Sequence, residues 1–193
     1  WMTSCPLCGE SFPQEKIEAH ASSCQGVETP SVAAKASPTK GTGKLVVRFA
    51  NILTAKEDYI AHQCNCVSKT AKGLSAVLFK KFPEANVYCG RTENSIPGTI
   101  VVRRRVVNMF AQYGPGKPKA GDKAKQRELW FEACLEAFVK HCRDSGVEGC
   151  SVAMPWQIGC GLAGGSWDRY QAMLSSFARR YPEFQVVLYK LES

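Results

Sequence analysis

The fold of this chain is decided by Met154-Pro-Trp-Gln-Ile-Gly-Cys-Gly-Leu-Ala-Gly-Gly-Ser-Trp167, in which four glycines fall within seven residues. The run before it, Cys150-Ser-Val-Ala-Met154, is short and apolar like a buried parallel strand, and Trp167 to Arg180 repeats apolar residues at helical spacing. Glycines let the backbone turn with positive φ and bring N–H groups against a ligand, and a helix N-terminus adds partial positive charge. The segment predicts a phosphate site, although the glycines alone are equally consistent with a plain turn.

Length and composition limit the class of protein. A chain of 193 residues can bury one sizeable core and one small module. No apolar run approaches the roughly 20 residues that cross a bilayer, and no signal-peptide pattern opens the chain. We therefore expect an intracellular monomer, nuclear or cytoplasmic, with no membrane partner. The ten cysteines do not have the spacing of a disulfide framework, which fits a reducing compartment.

The net charge of +8 belongs entirely to residues 45–193, because the four lysines before Leu45 are balanced by four glutamates. Most of the excess lies in Lys80-Lys81, in Arg103-Arg104-Arg105 and in the cluster Lys117, Lys119, Lys123, Lys125 and Arg127. A basic surface favours anionic partners such as nucleotides or nucleic acid, although any single cluster can also serve solubility.

The N-terminal 25 residues have the spacing of a structural zinc site. Cys5-Pro-Leu-Cys8 is followed by His20 and Cys24, a three-cysteine, one-histidine set. A short helix over residues 14–23 would place His20 and Cys24 one turn apart, and zinc must stabilise so small a unit. We predict a CCHC zinc finger over residues 1–25, followed by a flexible linker over residues 26–44 that is rich in Ala, Ser, Thr, Pro and Lys.

This finger resembles the ubiquitin-binding zinc fingers of DNA-repair proteins across about 20 residues. The resemblance implies ubiquitin as a partner and a role in DNA repair. Ser22 stands where those fingers commonly carry the aspartate that bonds ubiquitin. DNA binding and a purely structural role therefore stay open beside ubiquitin binding.

From Leu45 onward, predicted strands alternate with predicted helices, which indicates a mixed, largely parallel α/β sheet covered on both faces. The predicted strands cover residues 45–49, 58–62, 99–102, 106–110, 150–154 and 184–188, and the predicted helices cover residues 73–82, 124–143 and 167–180. In such sheets ligands bind beyond the carboxyl ends of the strands. Three segments that follow strands could share that edge: residues 62–66 with the helix start at Gly73, residues 108–116, and the glycine loop.

Four segments together resemble a macrodomain over nearly all of residues 45–193: Ala50-Asn-Ile-Leu53, His62-Gln-Cys-Asn-Cys66, Gly73-Leu-Ser-Ala76 and Ile158-Gly-Cys-Gly-Leu-Ala-Gly-Gly165. The chain is most similar to the branch that holds the ADP-ribose 1''-phosphate phosphatases and the terminal ADP-ribose protein glycohydrolase. The resemblance implies a three-layer α/β/α fold and an ADP-ribose site that needs no cofactor, so zinc in the finger is the one cofactor expected.

The resemblance also implies roles for individual residues. Asn51 and Ile52 would border the adenine, Asn65 would bond the distal ribose, and Gln112 with Tyr113 or Trp156 would lie near that ribose. Backbone N–H groups from two segments would wrap the diphosphate, namely those of Gly73, Leu74, Ser75, Ala76, Ile158, Gly159, Cys160, Gly161, Leu162, Ala163 and Gly164.

His62 matches a histidine of the phosphatase branch and is the candidate catalytic acid or base. The glycohydrolase branch uses a lysine where this chain has Gln112, and an aspartate where it has Ala163. The sequence therefore predicts an ADP-ribose-binding hydrolase, acting first on the 1''-phosphate monoester and second on an ADP-ribosyl linkage. The alternative is a non-catalytic reader of ADP-ribosylated protein or nucleic acid, recruited by its finger to ubiquitin or DNA.

Overall fold

A computed structural model of the protein describes residues 2–4, 11–13 and 45–192. The chain divides into two compact units, residues 1–37 and residues 38–193. In the first unit, β1 (Met2–Ser4) pairs antiparallel with β2 (Ser11–Pro13), with Thr3 opposite Phe12. The predicted zinc ligands Cys5, Cys8, His20 and Cys24 lie outside the described residues, as does the linker, so the finger and the domain limits stay predictions.

The second unit is built on a six-stranded mixed sheet. Its strands are β3 (Val46–Phe49), β4 (Tyr59–Asn65), β5 (Ile100–Arg103), β6 (Val106–Gln112), β7 (Ser151–Pro155) and β8 (Gln185–Lys190). They lie in the order β3-β8-β7-β4-β6-β5, and every pairing is parallel except that of β5 with β6. The predicted mixed, largely parallel sheet is confirmed.

Helices of the described residues cover both faces of this sheet. They are α1 (Leu74–Lys81), α2 (Ala124–Asp144) and α3 (Trp167–Arg180), with short 3-10 turns at Ile52–Thr54 and Pro83–Ala85. No helix in these parts of the chain is long and apolar enough to span a membrane.

Alternate strand residues feed two separate cores, which is what a sheet with two covered faces requires. Ala61, Val107 and Met154 pack with α2 and α3, whereas Ile60, Val106 and Ala153 pack with α1 and the 3-10 turns. Since the central strands bury apolar residues on both faces, their sequences show short apolar runs and no strict alternation. The layers follow as α/β/α.

Several strands run further than the sequence patterns predicted, and the extensions of β4 and β6 matter for the site. The strand predicted over residues 58–62 continues to Asn65, and the strand predicted over residues 106–110 continues to Gln112. Each extension ends at a polar residue that is buried and paired, since Asn65 lies opposite Gln112. His62 and Asn108 form the same kind of buried polar pair within the predicted parts of the strands. The Asn65 side chain then ends β4, since its Oδ1 accepts the N–H groups of Val67 (3.1 Å) and Ser68 (2.7 Å).

Candidate functional site

A cleft of about 700 Å³ opens where β4, β6 and β7 end. Its walls include the start of α1 on one side and the glycine loop after β7 on the other. Eleven of the residues predicted to bind or act on a ligand line it: His62, Asn65, Gly73, Leu74, Ser75, Gln112, Ile158, Gly159, Gly161, Leu162 and Ala163. The three segments expected at one edge of the sheet are therefore brought together.

The first wall is the N-terminus of α1. Gly73 precedes the helix with φ 58° and ψ −134°, a conformation that glycine adopts without strain. The N–H of Ala76 bonds to the carbonyl of Gly73 at 3.1 Å. The N–H groups of Leu74 and Ser75 find no backbone acceptor among the described residues, as expected for the first turn of a helix. They are free to bind an anion.

The second wall is the glycine loop, which is held in shape by its own hydrogen bonds. Cys160 N–H bonds to Gln157 O (2.9 Å), Gly164 N–H to Gly161 O (3.0 Å) and Gly165 N–H to Gly159 O (2.9 Å). In the described structure the N–H groups of five loop residues that line the cleft donate to no backbone carbonyl: those of Gln157, Gly159, Gly161, Leu162 and Ala163.

Two of the loop glycines are required by close packing. Gly159 has φ 76°, and a Cβ atom there would lie 2.4 Å from Cε1 of Tyr170 on α3. At Gly165 a Cβ would lie 2.8 Å from the same ring. Gly161 differs, because a Cβ there would meet nothing within 4 Å. The loop therefore rests on Tyr170 at its two ends and presents open space at Gly161.

The two walls touch each other. A Cβ atom built on Gly73 would lie 3.1 Å from Cδ1 of Leu162. Backbone N–H groups without backbone acceptors are thus gathered from a helix start and from the adjoining glycine loop. Among the residues that line the cleft there is one lysine or arginine, Lys72, and its side chain is exposed.

A buried arginine joins the loops around the cleft. Arg127, in the first turn of α2, is 2% exposed and donates to the carbonyls of Gly116 (2.7 Å) and Ala163 (2.9 Å). Its Nε donates to Asp122 Oδ1 at 2.7 Å, and Asp122 Oδ2 accepts the N–H of Gly114 at 3.0 Å. Burial disfavours the Asp122 carboxylate, but these bonds outweigh it and hold its pKa below the ordinary value.

The sequence did not reveal this role for Arg127. It stands in a cluster of basic residues and was interpreted as part of the basic surface, which is wrong because the side chain is buried and paired. Asp122, five residues earlier, was the available signal, since a single acid within a basic run is a candidate partner.

His62 lies at the deep end of the cleft and is 1% exposed. Its Nε2 lies 2.8 Å from Asn108 Oδ1, its Nδ1 lies 3.4 Å from Ser75 Oγ, and its ring packs edge-on against Phe79. Burial lowers the pKa of His62 to about 4, although the hydrogen bond to Asn108 opposes this. The imidazole is therefore neutral at physiological pH.

The amides beside His62 are engaged with one another. Gln112 Oε1 accepts the Nε2 hydrogen of Gln63 (2.7 Å), and Gln112 Nε2 donates to Gly114 O (2.9 Å). Asn65 Nδ2 lies 3.3 Å from the hydroxyl of Tyr88, which also accepts the Asn65 N–H at 3.0 Å. Gln63 and Tyr88 line the cleft and were not predicted. Gln63 lies within the segment 62–66 that the sequence placed at this edge, whereas nothing in the sequence near Tyr88 indicates that it lines the cleft.

Six of the predicted binding residues are not in the wall of this cleft: Asn51, Ile52, Ala76, Tyr113, Cys160 and Gly164. Asn51 Oδ1 accepts the N–H of Leu53 (2.9 Å) at the start of the 3-10 turn, and Ile52 is buried in the α1-side core. Tyr113 is exposed, with its hydroxyl 3.4 Å from Asn94 Nδ2. Trp156 does line the cleft and packs on Trp167, with ring centroids 4.7 Å apart.

The cysteines near the cleft are thiols. Burial raises the pKa of Cys64 to about 12, and that of Cys66 and of Cys160 to about 11. Protonated thiols of this kind pack as small apolar side chains. Within the described parts of the chain, no three His, Cys, Asp or Glu side chains are grouped so that they could hold a metal ion.

No protein-family model and no curated protein sequence matches the chain. Solved structures do. The macrodomain of Mycobacterium tuberculosis DarG matches with a TM-score of 0.62 at 22% identity, over 78% of this chain and 99% of that one. The macrodomain of Thermus aquaticus DarG matches with a TM-score of 0.59 at 21% identity, over 76% and 98%. A Trypanosoma brucei macrodomain solved in complex with ADP matches with a TM-score of 0.55 at 10% identity, over 78% and 65%.

The chain has a macrodomain fold. The order of strands, the helices on both faces and the two cleft-lining loops all belong to this one unit. The predicted macrodomain fold is thereby confirmed, whereas the predicted branch stays a prediction.

Breaking the buried ion pair should destabilise the macrodomain strongly. Replacing Arg127 by Met leaves the Asp122 carboxylate buried without its partner, which costs about 3–5 kcal/mol. Urea unfolding at pH 7 measures this change. The matched control is Arg169→Met, which removes a surface pair with Glu128 (3.2 Å, Arg169 side chain 63% exposed) and should cost less than about 1 kcal/mol. Equal losses in the two variants would contradict the role given to Arg127.

The buried histidine should make stability fall in acid. Below pH 6.5 the unfolded chain protonates His62, whereas the folded protein takes up that proton only near pH 4. Stability from this residue is therefore fully present above pH 6.5 and is lost as the pH falls through about 4, by about 3 kcal/mol. Since carboxylates also titrate there, we expect a His62→Gln variant to lose about 3 kcal/mol less than the wild type between pH 7 and pH 4. Parallel pH curves from urea unfolding would show that the imidazole is accessible to protons.

Proposed function

We propose that the macrodomain binds ADP-ribose and acts as a reader of ADP-ribosylated partners. The observation that supports this most is the set of backbone N–H groups without backbone acceptors on two adjoining walls, which includes those of Leu74, Ser75, Gly161, Leu162 and Ala163. A diphosphate offers several anionic oxygens close together, and a helix N-terminus beside a glycine loop is suited to receive them.

The volume and the other side chains of the cleft suit the parts of ADP-ribose beyond its diphosphate. Its volume of about 700 Å³ is within the usual range for pockets that enclose a ligand of this size. Trp156 offers an aromatic surface, and Asn65 and Gln112 offer amides at the strand ends. The Trypanosoma brucei macrodomain, which has the same fold, was solved with ADP, a ligand that carries a diphosphate. We carry that ligand class over to this chain as a proposal.

Hydrolysis is the second candidate, and His62 in the cleft wall is the observation that favours it. The ionisable side chains that line the described cleft are His62, Lys72 and Tyr88. Acid–base catalysis near neutral pH needs a group whose pKa lies near the working pH. Burial takes the pKa of His62 to about 4 and raises that of Tyr88 above its ordinary value. The geometry therefore supports binding better than turnover.

We further propose that residues 1–25 form the predicted zinc finger, with Cys5, Cys8, His20 and Cys24 as ligands. A finger of that kind, bound to ubiquitin or to DNA, would give the reader a second attachment point on the same target. Two linked weak contacts bind far more tightly than either alone when the linker can span them. The linker predicted over residues 26–44 would supply that span.

A negative charge placed at Gly161 should abolish diphosphate binding without unfolding the protein. Gly161 does not have a positive φ, and a Cβ there meets nothing within 4 Å, so a side chain fits. In Gly161→Glu the carboxylate would compete for the N–H groups and repel the phosphates. We expect the affinity for ADP-ribose, measured by calorimetry, to fall at least about tenfold, or about 1.4 kcal/mol.

The matched control is Gln171→Glu, which adds the same charge on the exposed face of α3, away from the cleft. It should bind ADP-ribose like the wild type. If Gly161→Glu binds as tightly as this control, the ligand does not occupy the two walls. Failure of the wild type to bind ADP-ribose would overturn the proposed function itself.

Incubation with two substrates separates a reader from an enzyme. We expect the wild type to leave both ADP-ribose 1''-phosphate and mono-ADP-ribosylated protein intact, with chromatography and mass spectrometry as the readouts. Turnover of either substrate that disappears in His62→Gln would instead establish hydrolysis with His62 as its acid or base. Turnover that persists in His62→Gln would establish hydrolysis by other groups.

A further inference from the structure

Three polar side chains form a buried chain that ends at the cleft. Asn108, which is 0% exposed, contacts His62, and His62 contacts Ser75, which lines the cleft. The Asn108 Oδ1 to His62 Nε2 distance is 2.8 Å, and the His62 Nδ1 to Ser75 Oγ distance is 3.4 Å. In such a chain the direction of each hydrogen bond fixes the direction of the next.

Asn108 fixes the first proton. Its Nδ2 donates to two backbone carbonyls, those of Val101 (3.1 Å) and Ala85 (3.3 Å), so Oδ1 must be the atom that faces His62. A carbonyl oxygen only accepts, and therefore Nε2 of His62 carries a hydrogen. The thiol of Cys64 also donates to this oxygen, at 3.7 Å, and burial keeps it protonated because its pKa is raised to about 12.

The neutral imidazole then fixes the second proton. With Nε2 protonated and the pKa of His62 near 4, Nδ1 carries a lone pair across the physiological range. Ser75 has one hydroxyl hydrogen, and the acceptor beside it is this Nδ1. The hydrogen of Ser75 therefore points into the protein, and the lone pairs of Oγ are left for the cleft.

We infer that Ser75 Oγ is a specificity-determining hydrogen-bond acceptor that selects a sugar hydroxyl of the ligand, next to the N–H groups that receive the diphosphate. The inference rests on the proposed function and adds the chemistry of one contact. A hydroxyl can donate to Oγ, whereas a phosphate oxygen at that place would set lone pair against lone pair. A free hydroxyl is thereby preferred over a phosphate ester at this position.

The test compares two ligands on the wild type and on Ser75→Ala. ADP-ribose carries both a diphosphate and sugar hydroxyls, and inorganic pyrophosphate carries no hydroxyl on a sugar. Removing the acceptor should lower the affinity for ADP-ribose about three- to tenfold, which is the contribution of one neutral hydrogen bond. The affinity for pyrophosphate should not change. Calorimetry at constant ionic strength measures both. The control is Ser176→Ala on the exposed surface of α3, which should change neither affinity.

The outcomes distinguish a failure of the acceptor role of Ser75 from a failure of the proposed ADP-ribose binding. If Ser75→Ala weakens both ligands equally, or neither, the acceptor role is overturned while ADP-ribose binding stands. If the wild type binds neither ligand, the proposed function fails and the inference fails with it. Nitrogen NMR of the wild-type imidazole gives a check that needs no variant, because His62 must be the Nε2–H tautomer and stay neutral from pH 5.5 to pH 8. The Nδ1–H tautomer, or titration near pH 6.5, would overturn the inference.

Discussion

The buried pair of Arg127 and Asp122 is the constraint on which the shape of the cleft depends. A guanidinium has five N–H donors in one plane, so a single side chain can hold an acid and several carbonyls together. Here it binds Ala163 of the glycine loop and Gly116 of the segment after β6, from a fixed position in α2. A buried pair of this kind contributes little net stability, and its value lies in specifying one arrangement of loops.

Positive charge on the surface comes from side chains, whereas partial positive charge in the cleft comes mainly from backbone N–H groups. Lysine and arginine side chains supply the net charge of +8, whereas the described wall of the cleft has one lysine or arginine, Lys72, and several backbone N–H groups without backbone acceptors. Backbone donors are fixed in direction and lose little entropy when they bind, unlike lysine side chains. A basic surface attracts anions from a distance, and the peptide groups select one that fits.

Local sequence patterns predicted most of the fold but only part of the candidate site. The limits of α3 were predicted to the residue because its apolar spacing is regular, and the ends of β4 and β6 were missed, where Asn65 and Gln112 are buried polar residues. The positions of the glycines predicted the two walls, since a loop that needs positive φ or close packing requires glycine at particular positions. The state of His62 could not be predicted, because it depends on Asn108, which lies 46 residues away in the chain.

The fixed positions of the protons around His62 limit the catalysis that this cleft can provide. A catalyst must hold the transition state more tightly than the ground state, and that requires groups which respond as charge develops. N–H groups on a diphosphate bind it equally before and during a reaction at a neighbouring bond, so they lower the dissociation constant without raising the rate. Protonating His62 would place a charge in an apolar site at a cost that no neighbouring carboxylate offsets among the contacts of its ring. With its imidazole held neutral, the cleft supports the proposed role in recognition better than acid–base catalysis by His62.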